Sequence, residues 1–359
     1  MRNEILMKKF FSFLLLAVFF ILLAAYPFNG YRYVFGKFPA DPVNFSAINS
    51  IYDDYNSTFP VLESERYLYF SSNRNSFGNE FDIVGNDFHI LWDKEKGRLT
   101  VDDKPNSWND YYYVDTLFSY MNSGFNEYGP YSLSYYKYYT PEAYYYTDLI
   151  IFSNDESGNQ DLKYVWFTSP VENPYLKEEF YGGPEPVSIL NSGFNDAYLT
   201  FYGPGFISLD DEDEPDRITE LLFCSDRDGD YDIYQAAVPP DSSILHFLRK
   251  DSAGVIIPVD ILNSEYHDKC PYVDGKLLVF TSDRPGGFGG FDLYYSRRNG
   301  LTWSEPVNFG EKINSVFDEY RPIVATYFEF ENDFLLFSSN RPGGKGGFDL
   351  YYVGIPKMI

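Results

Sequence analysis

Phe280–Tyr295 reads FTSDRPGGFGGFDLYY and Phe337–Tyr352 reads FSSNRPGGKGGFDLYY, one phrase written twice, 57 residues apart. Looser copies stand upstream at Phe70–Val84 (FSSNRNSFGNEFDIV), Phe152–Tyr164 (FSNDESGNQDLKY) and Phe223–Tyr234 (FCSDRDGDYDIY). Self-similarity at a period of tens of residues marks an array of supersecondary units, none of which buries its apolar face alone. Each copy carries its own local instructions. The runs Lys276–Phe280 (KLLVF) and Asp333–Phe337 (DFLLF) are short, densely apolar and bounded by turn residues, which predicts buried strands. Gly286, Gly287, Gly289 and Gly290, with Gly343, Gly344, Gly346 and Gly347 in the last copy, predict a tight reversal, and Phe-Asp-Leu-Tyr-Tyr is the returning strand of a hairpin.

A second phrase precedes every hairpin. Asn-Ser is followed, four and five residues after the Asn, by a polar and an acidic residue. The acidic member is Asp54, Glu127, Asp196, Asp268 or Glu319, and a second carboxylate recurs inside the hairpin as Asp82, Asp161, Asp232, Asp292 or Asp349. Arg74, Arg227, Arg284 and Arg341 stand four residues after the strand Phe, whereas the second copy has Glu156 there. A residue present in every unit is best explained by what every unit must do, so these acids are expected to accept hydrogen bonds from turn amides or pair with the repeat Arg.

These residues resemble the PD40 repeat, the WD40-like propeller unit of TolB-type bacterial cell-envelope proteins. The resemblance covers about Phe38 to Val353. It implies an all-β fold, a single β-propeller of PD40/WD40-like blades. Counting hairpins gives five blades. The 82 residues between Phe70 and Phe152 leave room for a degenerate sixth within Phe88–Tyr113. The family's outer strand is matched by Trp303-Ser-Glu-Pro-Val307 and, before any hairpin, by Asp41-Pro-Val-Asn44. The N-terminal strand is therefore expected to complete the last blade and remove free sheet edges. The resemblance further implies a non-catalytic protein-binding or scaffolding module with envelope-protein partners.

The 35 tyrosines and 34 phenylalanines suit pleated, half-buried surfaces. A formal charge of −25 argues against nucleic acid or an anionic membrane surface as partner. Lys8 and Lys9 precede an apolar run from Phe10 to Ala25, which reads as an export signal or N-terminal anchor. The expected organisation is residues 1–25 as that segment, 26–37 as a short linker and 38–359 as the propeller. The body would lie in the periplasm or cell envelope, touching membrane only through an uncleaved N-terminal segment. Tyr26 stands where a lipidated Cys would be needed, so a lipoprotein is excluded at that position.

Among candidate sites, Asp226, Asp228, Asp230 and Asp232 alternate around Gly229 and supply the hard oxygens calcium prefers, although the downstream bidentate Glu of a calcium loop is absent. No other cofactor is expected. Tyr135, Tyr136, Tyr138, Tyr139, Tyr144, Tyr145 and Tyr146 are candidates for partner or glycan contact, because consecutive aromatics place rings on both faces of a strand. The acidic run at 210–214 reads as a solvated loop. Catalysis has little motif support: three histidines, no Gly-x-Ser-x-Gly elbow, and hence no enzyme expected. The alternative is a carbohydrate-active protein, a glycan binder or a glycosidase using two axial carboxylates.

Overall fold

The computed structural model describes residues 35–59, 66–103, 113–140, 143–170, 180–204, 218–239, 243–250 and 254–358. The N-terminal segment 1–25, most of the linker and the run at 210–214 lie outside them. No helix among the described residues is long and apolar enough to cross a membrane.

The first strand among the described residues is the two-residue β1 (Val43–Asn44), after which five antiparallel sheets are built in sequence. Blade one is β2 (Asp54–Thr58), β3 (Arg66–Ser72), β4 (Asp82–Asp93) and β5 (Arg98–Asp103). Helix α1 (Val114–Met121) follows. Its buried face of Val114, Leu117 and Met121 packs beside blade two, where Tyr113 stacks on Phe167 at 4.2 Å. Blade two is β6 (Glu127–Thr140), β7 (Ala143–Asn154), β8 (Asp161–Pro170) and β9 (Phe180–Pro186). Blade three is β10 (Asp196–Tyr202), β11 (Glu220–Ser225) and β12 (Asp232–Ala237), then a short helix α2 (Ile244–Leu248) capped by Ser243, then β13 (Ile256–Pro258). Blade four is β14 (Asp268–Asp274), β15 (Leu277–Ser282) and β16 (Asp292–Asn299), with β17 (Thr302–Trp303) and β18 (Val307–Asn308) both on the edge of β16. Blade five is β19 (Glu319–Ala325), β20 (Asn332–Ser339) and β21 (Asp349–Pro356), and its fourth strand is β1.

The fold is thus a five-bladed β-propeller closed by its N-terminal strand, as expected. Among the described residues of Phe88–Tyr113 there is no sixth blade: they supply the end of β4 and all of β5. Closure is chemically matched. Asn308 donates Nδ2–H to Asp292 at 2.9 Å in blade four, and Asn44 makes the same bond to Asp349 at 3.3 Å in blade five. The two copies of Pro-Val-Asn are one part used twice.

Each repeated residue has a task. The Asn of the upstream phrase clamps the third strand of the preceding blade, accepting from its N–H and donating to its C=O. The partners are Leu350 for Asn49, Ile83 for Asn122, Leu162 for Asn191, Ile233 for Asn263 and Leu293 for Asn314, at 2.8–3.0 Å. The following Ser binds the acid at its fixed offset, as when Ser192 N–H and Oγ–H reach Asp196 at 2.6 and 2.7 Å. That acid is fully buried in every blade. In four blades it is neutralised by the repeat Arg: Arg74–Asp54 and Arg227–Asp196 at 2.6 Å, Arg341–Glu319 at 2.8 Å, and Arg284–Asp268. The same guanidinium lies over the strand Phe at 5.0–5.2 Å. A buried carboxylate survives because its charge is paired and its lone pairs are filled.

Blade two breaks this arrangement. Glu156 replaces the Arg and pairs outward with Lys163 at 2.6 Å. Glu127 keeps only neutral donors, Ser123 Oγ at 2.6 Å and Asn154 Nδ2 at 2.7 Å. Burial accordingly pushes its carboxyl up to about 7, with the donors opposing.

Candidate functional site

The innermost strand of every blade carries a β-bulge just after the buried acid, seen as register breaks after Tyr55, Tyr128, Ala197, Lys269 and Tyr320. The bulged residues are Asn56, Gly129, Tyr198, Cys270 and Arg321, all with φ between 46° and 57°. Four of the five non-glycine residues with positive φ among the described residues stand here. A left-handed backbone is costly for a side chain, so its fivefold recurrence is imposed by the geometry of the ring.

Three tiers result. The bulged residues form a floor, with Tyr198 buried above Gly129, whose added Cβ would lie 2.3 Å from the Tyr198 ring. Asn56 Nδ2–H donates to Tyr198 Oη at 3.2 Å, and the Arg321 guanidinium lies over the Tyr198 ring at 5.4 Å. One residue back, Tyr55, Tyr128, Lys269 and Tyr320 line the wall, while blade three has the small Ala197. The mouth comes from the residue before each hairpin Asp: Gln160, Tyr231, Phe291 and Phe348, with Phe81 packed outside on Tyr55 at 4.9 Å. Mouth and wall are stitched across blades. The carbonyls of Phe348, Phe81, Gln160, Tyr231 and Phe291 accept from the N–H of Asp54, Glu127, Asp196, Asp268 and Glu319 at 2.6–2.8 Å.

The axial pocket is open to solvent and has a volume of about 310 Å³, at the small end of ligand sites. Its lining is dominated by aromatic rings, seven of ten residues, and Lys269 and Asp318 are its charged members. Asp318 is committed to the scaffold: its carboxylate accepts from Phe291 N–H at 3.0 Å and Asn340 Nδ2 at 2.9 Å. Burial raises the Tyr55, Tyr198, Tyr231 and Tyr320 phenols well above their ordinary value, so these are neutral hydroxyls. The axis offers flat apolar faces with hydrogen-bonding rims and one ammonium.

The residues singled out in the sequence lie elsewhere. Asp226 holds Asn195, at the start of its own blade, through its N–H at 2.8 Å and Nδ2 at 2.6 Å, and Asp228 accepts from Tyr234 Oη at 2.6 Å. Asp232 is pushed up to about 6 by burial, then by Asp230, Asp268 and Asp228. Among the described residues no three acidic, His or Cys side chains gather about one metal position. Of the clustered tyrosines, Tyr135 is buried and Tyr146 half-buried with its hydroxyl 3.2 Å from that of Tyr113. The side chains of Tyr136, Tyr138, Tyr139, Tyr144 and Tyr145 lie outside the described residues, although their backbone forms the long β6–β7 ladder. The axial residues were missed because neither position is constant: Ala197 and Lys269 interrupt the wall tyrosines, and Gln160 and Tyr231 interrupt the mouth phenylalanines. Their signal is positional: one place after the constant acid, and one place before the hairpin Asp.

No protein-family model and no curated protein sequence matches the chain. Solved structures do match in fold. A GH43_1 enzyme from Xanthomonas citri has a TM-score of 0.48 at 9% identity, covering 89% of this chain and 92% of that one. A GH62 hydrolase in complex with xylotriose scores 0.46 at 12%, covering 90% and 99%. An endo-arabinase from Bacteroides thetaiotaomicron scores 0.45 at 13%, covering 90% and 98%.

The expectation of a PD40, WD40-like repeat protein of TolB type is corrected here: the matches named above are a GH43_1 enzyme, a GH62 hydrolase and an endo-arabinase, not TolB-type proteins. The expectations of a non-catalytic protein-binding scaffold and of no enzyme are corrected on the same matches, whose names are those of enzymes; the likeness itself shows the fold. The misreading has a physical cause. The Asn clamp, the Arg–acid pair and the turn Asp are devices for joining short blades, and residues that join blades say little about what the axis does.

Proposed function

We propose that this chain is a carbohydrate-active propeller that takes a sugar ring of a glycan in its axial pocket. One observation carries the reading: the aromatic tiers Tyr55, Tyr128, Tyr320 and Tyr231, Phe291, Phe348 surround a pocket of about 310 Å³ whose polar rim is made of hydroxyls, an amide and an ammonium. A sugar has apolar C–H faces and an equator of hydroxyls. Rigid aromatic faces bury the first, and phenols, Gln160 and Lys269 meet the second at small cost in conformational entropy. The volume suits a sugar unit rather than a length of polymer, with the rest of the glycan leaving through the mouth.

The residues differ in role. The buried acids Asp54, Asp196, Asp268 and Glu319 are held by arginines and serve the scaffold. Ground-state binding falls to the wall, and Asp318 is the carboxylate that borders the pocket among the described residues. The test is a panel of plant, bacterial and host oligosaccharides, read for binding by calorimetry and for bond cleavage by released reducing ends. Tyr55→Ala and Phe348→Ala should each weaken binding or turnover at least tenfold while melting within a few degrees of the parent. A panel on which the parent neither binds nor cleaves any member sinks the reading.

A further inference from the structure

Two cations stand on the axis without a counter-ion. Lys269 Nζ lies 3.8 Å from the centroid of the Tyr231 ring and 5.7 and 5.9 Å from those of Tyr320 and Phe291. Among the described residues it has no hydrogen-bond or ion-pair partner. The nearest acid of the lining, Asp318, is engaged by Phe291 N–H and Asn340. Arg321, on the floor of the ring, is fully buried. Its Nη atoms donate only to the carbonyls of Pro271 and Pro130, both at 3.2 Å, and its Nε–H is unsatisfied. No carboxylate among the described residues pairs with it.

That contrasts with the rest of the molecule. The chain carries 53 acidic and 28 basic residues, and the repeat arginines each hold an acid. Burying a guanidinium without a partner charge is expensive, and a lysine caged by rings has given up part of its hydration. In an acidic protein two such cations make a local positive potential; the Cys270 thiol, next to Lys269 in the chain, is pushed up by burial, with Arg321 and Lys269 opposing that rise. Low-dielectric aromatic walls concentrate that potential on the pocket.

We infer that the axial pocket selects an acidic sugar, one bearing an anionic group such as the carboxylate of a uronic acid, with Lys269 as its direct counter-ion and Arg321 supplying a long-range field from beneath Tyr198. This rests on the carbohydrate reading above and names its substrate class. The sugar's anion meets Lys269 at the wall while its ring lies against Tyr55, Tyr128 or Phe348. A charge-assisted hydrogen bond in such surroundings exceeds a neutral one, and the cation–π cage keeps the ammonium aimed inward.

The experiment is calorimetric titration of the full chain with glucuronate and galacturonate oligosaccharides, each beside its methyl ester, in which the ring is unchanged and the charge is gone. Sulfated oligosaccharides form a third arm that separates carboxylate from any anion. The expected result is binding of a uronate at least tenfold tighter than its ester, weakening as salt rises. Lys269→Met should bring acid and ester to parity, a loss of roughly ten- to a hundred-fold for the acid alone, and Lys269→Arg should retain most of the preference. Melting temperatures of both variants confirm an intact ring. Equal, salt-insensitive binding of acid and ester overturns the inference and leaves the carbohydrate reading standing. Tighter binding of the sulfated arm alone also overturns the carboxylate assignment. Absence of binding to every glycan, charged or neutral, overturns both.

Discussion

Glu127 makes the Arg–acid pairing of the other four blades measurable. In blade two the acid is buried among neutral donors and its carboxyl is pushed up to about 7 from an ordinary value near 4.5. The folded state therefore holds a proton that the unfolded chain releases between those two values, so folding stability falls as pH rises through this window and levels off above it. Each tenfold difference in proton affinity is worth about 1.4 kcal/mol, which puts the loss at roughly 3 kcal/mol between pH 4.5 and 7. Asp148 and Asp232, each pushed up to about 6, slope the same way. The decisive quantity is therefore a difference between proteins. Urea unfolding of the parent and of Glu127→Gln at pH 5, 6, 7 and 8 should give curves that converge at low pH and separate by about 2–3 kcal/mol at high pH, the variant being the more stable. Gln keeps the oxygen that accepts from Ser123 and Asn154 and cannot ionise. The converse variant, Asn154→Ser with Glu156→Arg, rebuilds the ion pair of the other blades and should flatten the same slope by holding the charge instead of the proton. Parallel pH profiles for parent and Glu127→Gln would refute the reasoning, for they would mean that Glu127 is ionised in the fold despite its lack of a cation.

Two further outcomes follow from the ring itself. Gly129→Ala places a methyl 2.3 Å from the Tyr198 ring on a backbone with φ of 56°, so thermal melting should drop by several degrees, roughly 2 kcal/mol or more, and sugar binding should weaken as the floor tilts. Asn314→Ala deletes both bonds of a buried clamp on Leu293 and leaves its N–H and C=O unmatched, which should cost about 2–4 kcal/mol in denaturant unfolding, whereas Asn79→Ala on an exposed turn should cost under about 1.

The architecture was legible in the sequence because it is written in constant residues. Phe337, Arg341 and Asp349 recur at fixed offsets from Phe280, Arg284 and Asp292, and Pro42-Val43-Asn44 repeats Pro306-Val307-Asn308, which is enough to place five hairpins and the closing strand. The axis was not legible by the same means. At the one structural position of the wall, Ala197 and Lys269 interrupt the tyrosines Tyr55, Tyr128 and Tyr320, and a residue type held in three blades of five does not register as a repeat. Selection for joining blades makes residues alike, and a site on a symmetry axis makes equivalent residues unlike. Of the tyrosines at 135–146 whose side chains are described, Tyr135 is buried and Tyr146 meets Tyr113, so at these two positions aromatic surface is used in packing.

The pairing of β1 with β21 joins Val43 to Tyr352 and Asn44 to Tyr351, and Asn49 reaches Leu350 across the same gap. The circle is therefore fastened by a clasp whose halves lie some three hundred residues apart, and four finished blades still leave it undone. Such long-range closure delays the last step of folding. It also makes that seam the place where the wheel should first spring open under load: a force pulling the chain ends apart would peel β1, and with it the bonds that join Gly36, Phe38 and Pro39 to Glu329, Asn332 and Gly354, before it strained any complete blade.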